Sequence, residues 1–112
     1  MNDTTILKDI KSVLGLIDDD NAYDGEILMH LNSAFMYLNQ LGFGELYKPE
    51  TIEETTTWEE VFSNRDYVNC IKPYIYKRVR LIFDPPGSSI VMQSLENLIR
   101  EDEYRIQSML DR

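Results

Sequence analysis

One cysteine and one histidine occur in 112 residues, and each scarcity excludes a chemistry. A lone Cys70 cannot close an internal disulfide and fits a reducing compartment such as the cytoplasm. His30 has Ala34 four residues on and no cysteine near it, so neither zinc ligation at that helix nor a cofactor is expected. His30 reads as a helix-surface or interface residue and Cys70 as a small, inert core residue. No apolar run approaches the ~20 residues of a membrane span, and no basic, apolar-cored signal peptide opens the chain. Contact with a membrane is not expected.

Positive charge is also short, at 11 Lys/Arg against 20 Asp/Glu, a net charge of −9. Residues 1–65 hold 13 acidic and 4 basic side chains, whereas residues 66–112 hold 7 of each. Such a surface repels phosphate and argues against tight nucleic-acid binding, while still letting DNA slide past without sticking. Lys72, Lys77, Arg78 and Arg80 form the one basic cluster. Its better match is an acidic protein surface, within this chain or on another copy. An acidic run from Asp18 to Asp24 tempts a calcium-loop reading begun at Asp20. Ala22 at its third place and Leu31 at its twelfth remove two ligands, so the reading fails. Gly42-Phe43-Gly44 is too short to cradle a phosphate. Nothing here spells out a reaction, and an enzyme is not expected.

What is present is helical periodicity in a chain short enough for one domain, residues 1–112. Ile6, Ile10, Val13, Leu14 and Ile17 predict a first helix over about 5–16, capped by Asp3, Thr4 or Thr5 and ended by Asp18-Asp19-Asp20-Asn21. A second helix, about 24–41, places Ile27, Leu28, Leu31, Ala34, Phe35, Leu38 and Leu41 on one stripe, with Gly42 and Gly44 as its stop. A long loop follows to about residue 57. Thr57-Trp58-Glu59-Glu60 then makes a capping box opening short turns through Phe62. The third helix, about 66–83, is expected to kink or restart at Pro73 and to end at Asp84-Pro85-Pro86. Ile75, Val79, Ile82 and Phe83 share its face. Ser88 caps a last helix to about Leu110, lined by Val91, Leu95, Leu98, Ile99, Ile106 and Met109. The expected fold is an all-α bundle of three to four main helices with one long loop, about 42–57. Its core is expected to hold Ile10, Leu14, Leu31, Phe35, Leu38, Ile75, Val79, Phe83, Leu95 and Ile99.

Two helices carry more apolar surface than one core requires. Met29, Met36 and Tyr37 lie roughly opposite the Leu31/Phe35/Leu38 stripe, and Tyr74 and Leu81 flank the stripe of the third helix. Lys77 and Arg80 lie on the polar side of that helix. Central helices buried on both sides would account for this pattern, and so would a subunit interface formed by Met29, Met36, Tyr37, Tyr74, Lys77, Arg80 and Leu81.

The segment Tyr74-Ile75-Tyr76-Lys77-Arg78-Val79-Arg80-Leu81-Ile82-Phe83-Asp84-Pro85-Pro86, followed by Ser88-Ser89-Ile90-Val91-Met92, resembles bacteriophage head–tail connector proteins, also called head-completion or adaptor proteins. His30 to Gly42 and Trp58 are similar too, as is the order of elements over nearly the whole chain. These are packing and corner motifs rather than a catalytic signature. The resemblance implies a structural virion protein at the head–tail junction, assembled in the host cytoplasm into a ring of about a dozen copies. Such a ring lies beneath the portal protein, extends the DNA channel and docks the next tail-completion protein; DNA only passes through. The competing reading is a monomeric acidic regulator or DNA mimic, which needs carboxylates spaced along one exposed face. Here they gather at Asp18 to Asp20 and at Glu50 to Glu54, which fits that reading less well.

Overall fold

The computed structural model describes residues 5–16, 21–43, 51–62 and 65–110. Five helices account for most of them: α1 (Ile6–Val13), α2 (Asp24–Leu38), α3 (Trp58–Val61), α4 (Arg65–Phe83) and α5 (Ser89–Leu110). No strand occurs among the described residues, only an isolated bridge between Thr5 and Thr57. The all-α bundle expected from the periodicity is the fold found.

Thr5 caps α1, its hydroxyl accepting the Lys8 amide at 3.2 Å. The helix closes earlier than the acidic run. Gly15 takes φ +82°, its N–H donates to the Ser12 carbonyl, and that of Leu16 donates to the Lys11 carbonyl. These two bonds are the Schellman closure, which places a left-handed residue just past the helix. Residues 17–20, where the acidic terminator was expected, lie outside the described residues. α2 ends in a wider turn, Asn39–Phe43, in which Gly42 has φ +121°. An ideal Cβ built there would stand 3.1 Å from Leu110 Cδ1, so the glycine also lets the end of α5 close on the turn.

α4 is the central helix, packing α2 on one side and α5 on the other. It runs unbroken across Pro73, where a kink or restart was expected. Pro73 sits on an exposed flank, where a released backbone carbonyl can be served by water. The core holds Ile6, Ile10, Ile27, Leu31, Phe35, Leu38, Ile71, Ile75, Val79, Leu95, Ile99 and Ile106. Leu14 and Phe83 are only partly buried against it. Ile82, Val91 and Leu98, expected on inward stripes, are exposed. Ile82 lies in the last turn of α4, where the chain leaves the bundle for the Asp84-Pro85-Pro86 corner. Cys70 is exposed as well, contrary to its expected place in the core.

Half of the expected loop is fixed structure. Asn32 on α2 uses its amide as a strand would use its backbone. Its Oδ1 accepts the Ile52 N–H at 2.7 Å, and its Nδ2 donates to the Ile52 carbonyl at 3.0 Å. Ile52 and Thr56 are thereby buried, and the Thr56 carbonyl accepts the Ile6 N–H at 2.9 Å. The capping box is present: Thr57 Oγ1 accepts from the Glu60 N–H, and Glu60 Oε1 accepts from the Thr57 N–H. Trp58 then packs on Phe35 and donates through Nε1 to Asp9 Oδ2 at 2.8 Å. Lys72 Nζ reaches the same oxygen at 2.6 Å, so one carboxylate joins α1, α3 and α4. Lys11, buried in α1, pairs with Asp24 at the start of α2 at 2.9 Å.

Candidate assembly surfaces

α2 turns Ile27, Leu31, Ala34, Phe35 and Leu38 into the core. At 100° per residue this leaves Met29 and Met36 on its outer side, two turns apart, and both are 62% exposed. Tyr37, 46% exposed, lies between that outer stripe and α4. One face of its ring carries the Arg78 guanidinium, stacked 3.6 Å from the ring centre. Arg78 also stands 3.9 Å from Glu103.

Tyr74 is fully buried. α5 covers the flank of α4 from which Tyr74 projects, and its hydroxyl donates to Glu103 Oε2 at 2.9 Å. It is a core residue of this chain rather than part of a free face. Burial first, and then the hydrogen bond to the Glu103 carboxylate, push its phenol well above the ordinary tyrosine range, with Arg78 pulling the other way. Lys77 is held within the chain by Asp102 at 2.7 Å. Leu81 is half-buried in a cleft of about 410 Å³ lined also by Tyr37, Arg78, Glu96, Arg100 and Glu103. Arg80 is half-buried on α4. The seven residues taken from the sequence thus do not make one surface. Met29, Met36 and Tyr37 stay outward, whereas Tyr74, Lys77 and Leu81 join the α4–α5 packing.

The basic cluster is largely spent in the same way, with Lys72 on Asp9, Lys77 on Asp102 and Arg78 between Tyr37 and Glu103. His30 rests edge-on to Phe83, with its ring nitrogen 3.5 Å from Glu26. Among the described residues no group of His, Cys, Asp or Glu is placed to hold a metal ion, and no helix is long and apolar enough to cross a membrane.

Residues 6–112 match the family model of the phage connector protein, over nearly all of the helical bundle just described. The chain belongs to the phage connector protein family. No curated protein and no solved structure matches it. A connector is a structural component of a phage. In the connector, sequence reasoning missed the outward set on α5: Ile90, Val91 and Leu98. Only Ile90 falls off the stripe of Leu95, Ile99 and Ile106 at 100° per residue; Val91 and Leu98, four residues before and three after Leu95, read as inward, and it is the packing of α5 that leaves them exposed.

Proposed function

We propose that this connector assembles as a ring of about a dozen copies at the head–tail junction, beneath the portal and above the next tail component. The ring extends the channel through which DNA passes. Assembly takes place in the host cytoplasm and the product resides in the virion. Membership of the connector family over residues 6–112 carries this reading. Exposed methionines on α2 support it, since adaptable apolar side chains left in water favour a protein contact. A net charge of −9 suits a channel that DNA must not adhere to. The DNA-mimic alternative is less well supported, because Asp9, Asp24, Asp102 and Glu103 are engaged by Trp58, Lys72, Lys11, Lys77 and Tyr74 within the fold.

Sedimentation velocity with negative-stain imaging tests the ring, on the connector alone and mixed with its portal. Annular particles are expected in at least the mixture. The double substitution Met36→Glu, Tyr37→Glu is expected to prevent them while leaving the helical circular-dichroism signal in place. A strictly monomeric connector that also ignores the portal would remove the ring from the account.

A further inference from the structure

A closed ring built from one kind of subunit uses heterologous contacts, in which two different faces of each copy meet. α2 supplies one outward apolar face with Met29 and Met36. α5 supplies another with Ile90, Val91 and Leu98, which are 77%, 48% and 46% exposed. These faces lie on opposite flanks. α5 turns Glu96, Ile99, Arg100 and Glu103 toward α2 across the cleft. Val91 and Leu98 fall at i, i+7 and i+11 spacing with Asp102, on the flank that holds Lys77 and Arg105. α4 lies between the two helices.

Charge points to the occupant. Copies of a protein with net charge −9 repel one another unless they meet where charge is absent or paired. No Asp, Glu, Lys or Arg occurs between Glu26 and Glu45, and none between Asp84 and Glu96. The first gap contains the whole α2 face, and the second contains Ile90 and Val91. In a chain that is 28% charged, these are two uncharged stretches on which a second copy can settle, and Leu98, just past the second, lies beside Glu101 and Arg105, which pair with each other at 3.7 Å. We propose that the Met29/Met36 face of α2 docks on the Ile90/Val91/Leu98 face of α5 of the next copy. The pairing rests on the ring reading and adds which faces meet. A face of three side chains is smaller than the roughly 800 Å² per partner of a standard interface. One contact is therefore weak, and ring closure, in which every copy uses both faces, supplies the remaining strength.

Two variants, each with one face spoiled, isolate the contact: M29E/M36E and V91E/L98E. All four positions are exposed, and circular dichroism checks that both variants fold. If V91E/L98E does not fold, Ile90→Glu replaces it. Each variant alone is expected to sediment as a monomer. An equimolar mixture retains one good pair of faces and is expected to give a 1:1 dimer and nothing larger. Amide shifts in ¹⁵N-labelled V91E/L98E on adding M29E/M36E are expected along the outer side of α2. A mixture that stays monomeric at the highest soluble concentration overturns the pairing. If wild type forms rings while the mixture stays monomeric, the ring stands and this pairing falls. If the mixture dimerises while wild type forms no ring with or without portal, the pairing stands and the ring falls.

Discussion

Replacing Asn32 with alanine tests whether one side chain organises the second half of the long loop. The amide makes two bonds across 20 residues of sequence, at 2.7 and 3.0 Å, to the N–H and C=O of Ile52. Each is worth about 1 kcal/mol net, and a donor or acceptor left unpaired away from water adds its desolvation cost. Ile52 is a buried residue, so a loss of about 3 kcal/mol is expected for Asn32→Ala. That is a large share of the 5–15 kcal/mol typical of a folded domain, and for this size it lowers Tm by about 10 °C. Guanidinium denaturation gives the stability, and hydrogen exchange at the Ile52 amide gives the local effect. Asn32→Asp separates the two bonds. It keeps the acceptor for Ile52 N–H, loses the donor, and sets a carboxylate against the carbonyls of Leu28 and Ile52. It is therefore expected to cost no less than alanine at neutral pH. A loss below about 0.5 kcal/mol for Asn32→Ala, with Ile52 exchange unchanged, would refute the assignment of Asn32 as the anchor.

Tyr74 gives a pH prediction with a definite sign. Its phenol is raised in the folded protein, so the stabilisation it carries is complete below the unfolded value of about 10 and declines as pH climbs above it, by at most about 1.4 kcal/mol per pH unit. Urea midpoints at alkaline pH should fall more steeply for wild type than for Tyr74→Phe, and parallel curves would contradict this. Among glycines, Gly42→Ala combines φ +121° with the 3.1 Å approach of Leu110 and should cost about 2–3 kcal/mol. Gly15→Ala meets open space and should cost about 1 kcal/mol for its φ alone, whereas Gly25→Ala, inside α2, should be neutral or stabilising in thermal melts. The reverse order would be inconsistent with the backbone described. Fluorescence anisotropy should detect no duplex DNA binding at about 0.15 M salt, because the basic residues of α4 are mostly paired within the chain. Micromolar, salt-sensitive binding lost on neutralising Lys77, Arg78 and Arg80 would reverse that conclusion.

The sequence by itself determined the helices, most of the core and the family. Periodicity of 3.6 is a local property, so Leu31, Phe35 and Leu38 declare the inward side of α2 without knowing what covers it. The same holds for the Thr57–Glu60 capping box and the Asp84-Pro85-Pro86 stop, where a cap or a proline acts within one turn. Gly15 was legible too, as a left-handed closure, but the acidic run beyond it was the louder signal. Tertiary structure alone decided which apolar residues stay outside. Tyr74 and Met36 are both large amphipathic or adaptable side chains on helices with apolar surface to spare. Only the position of α5 buries the first, and among the described residues no element covers the second. Ile52 is buried because an amide on α2 satisfies its backbone, a contact 20 residues away that no local pattern encodes. Lys77 is a paired residue rather than a free cation because Asp102, 25 residues on, lies opposite it across the hairpin. Burial and pairing are relations between elements, and they acquire values only when the elements pack.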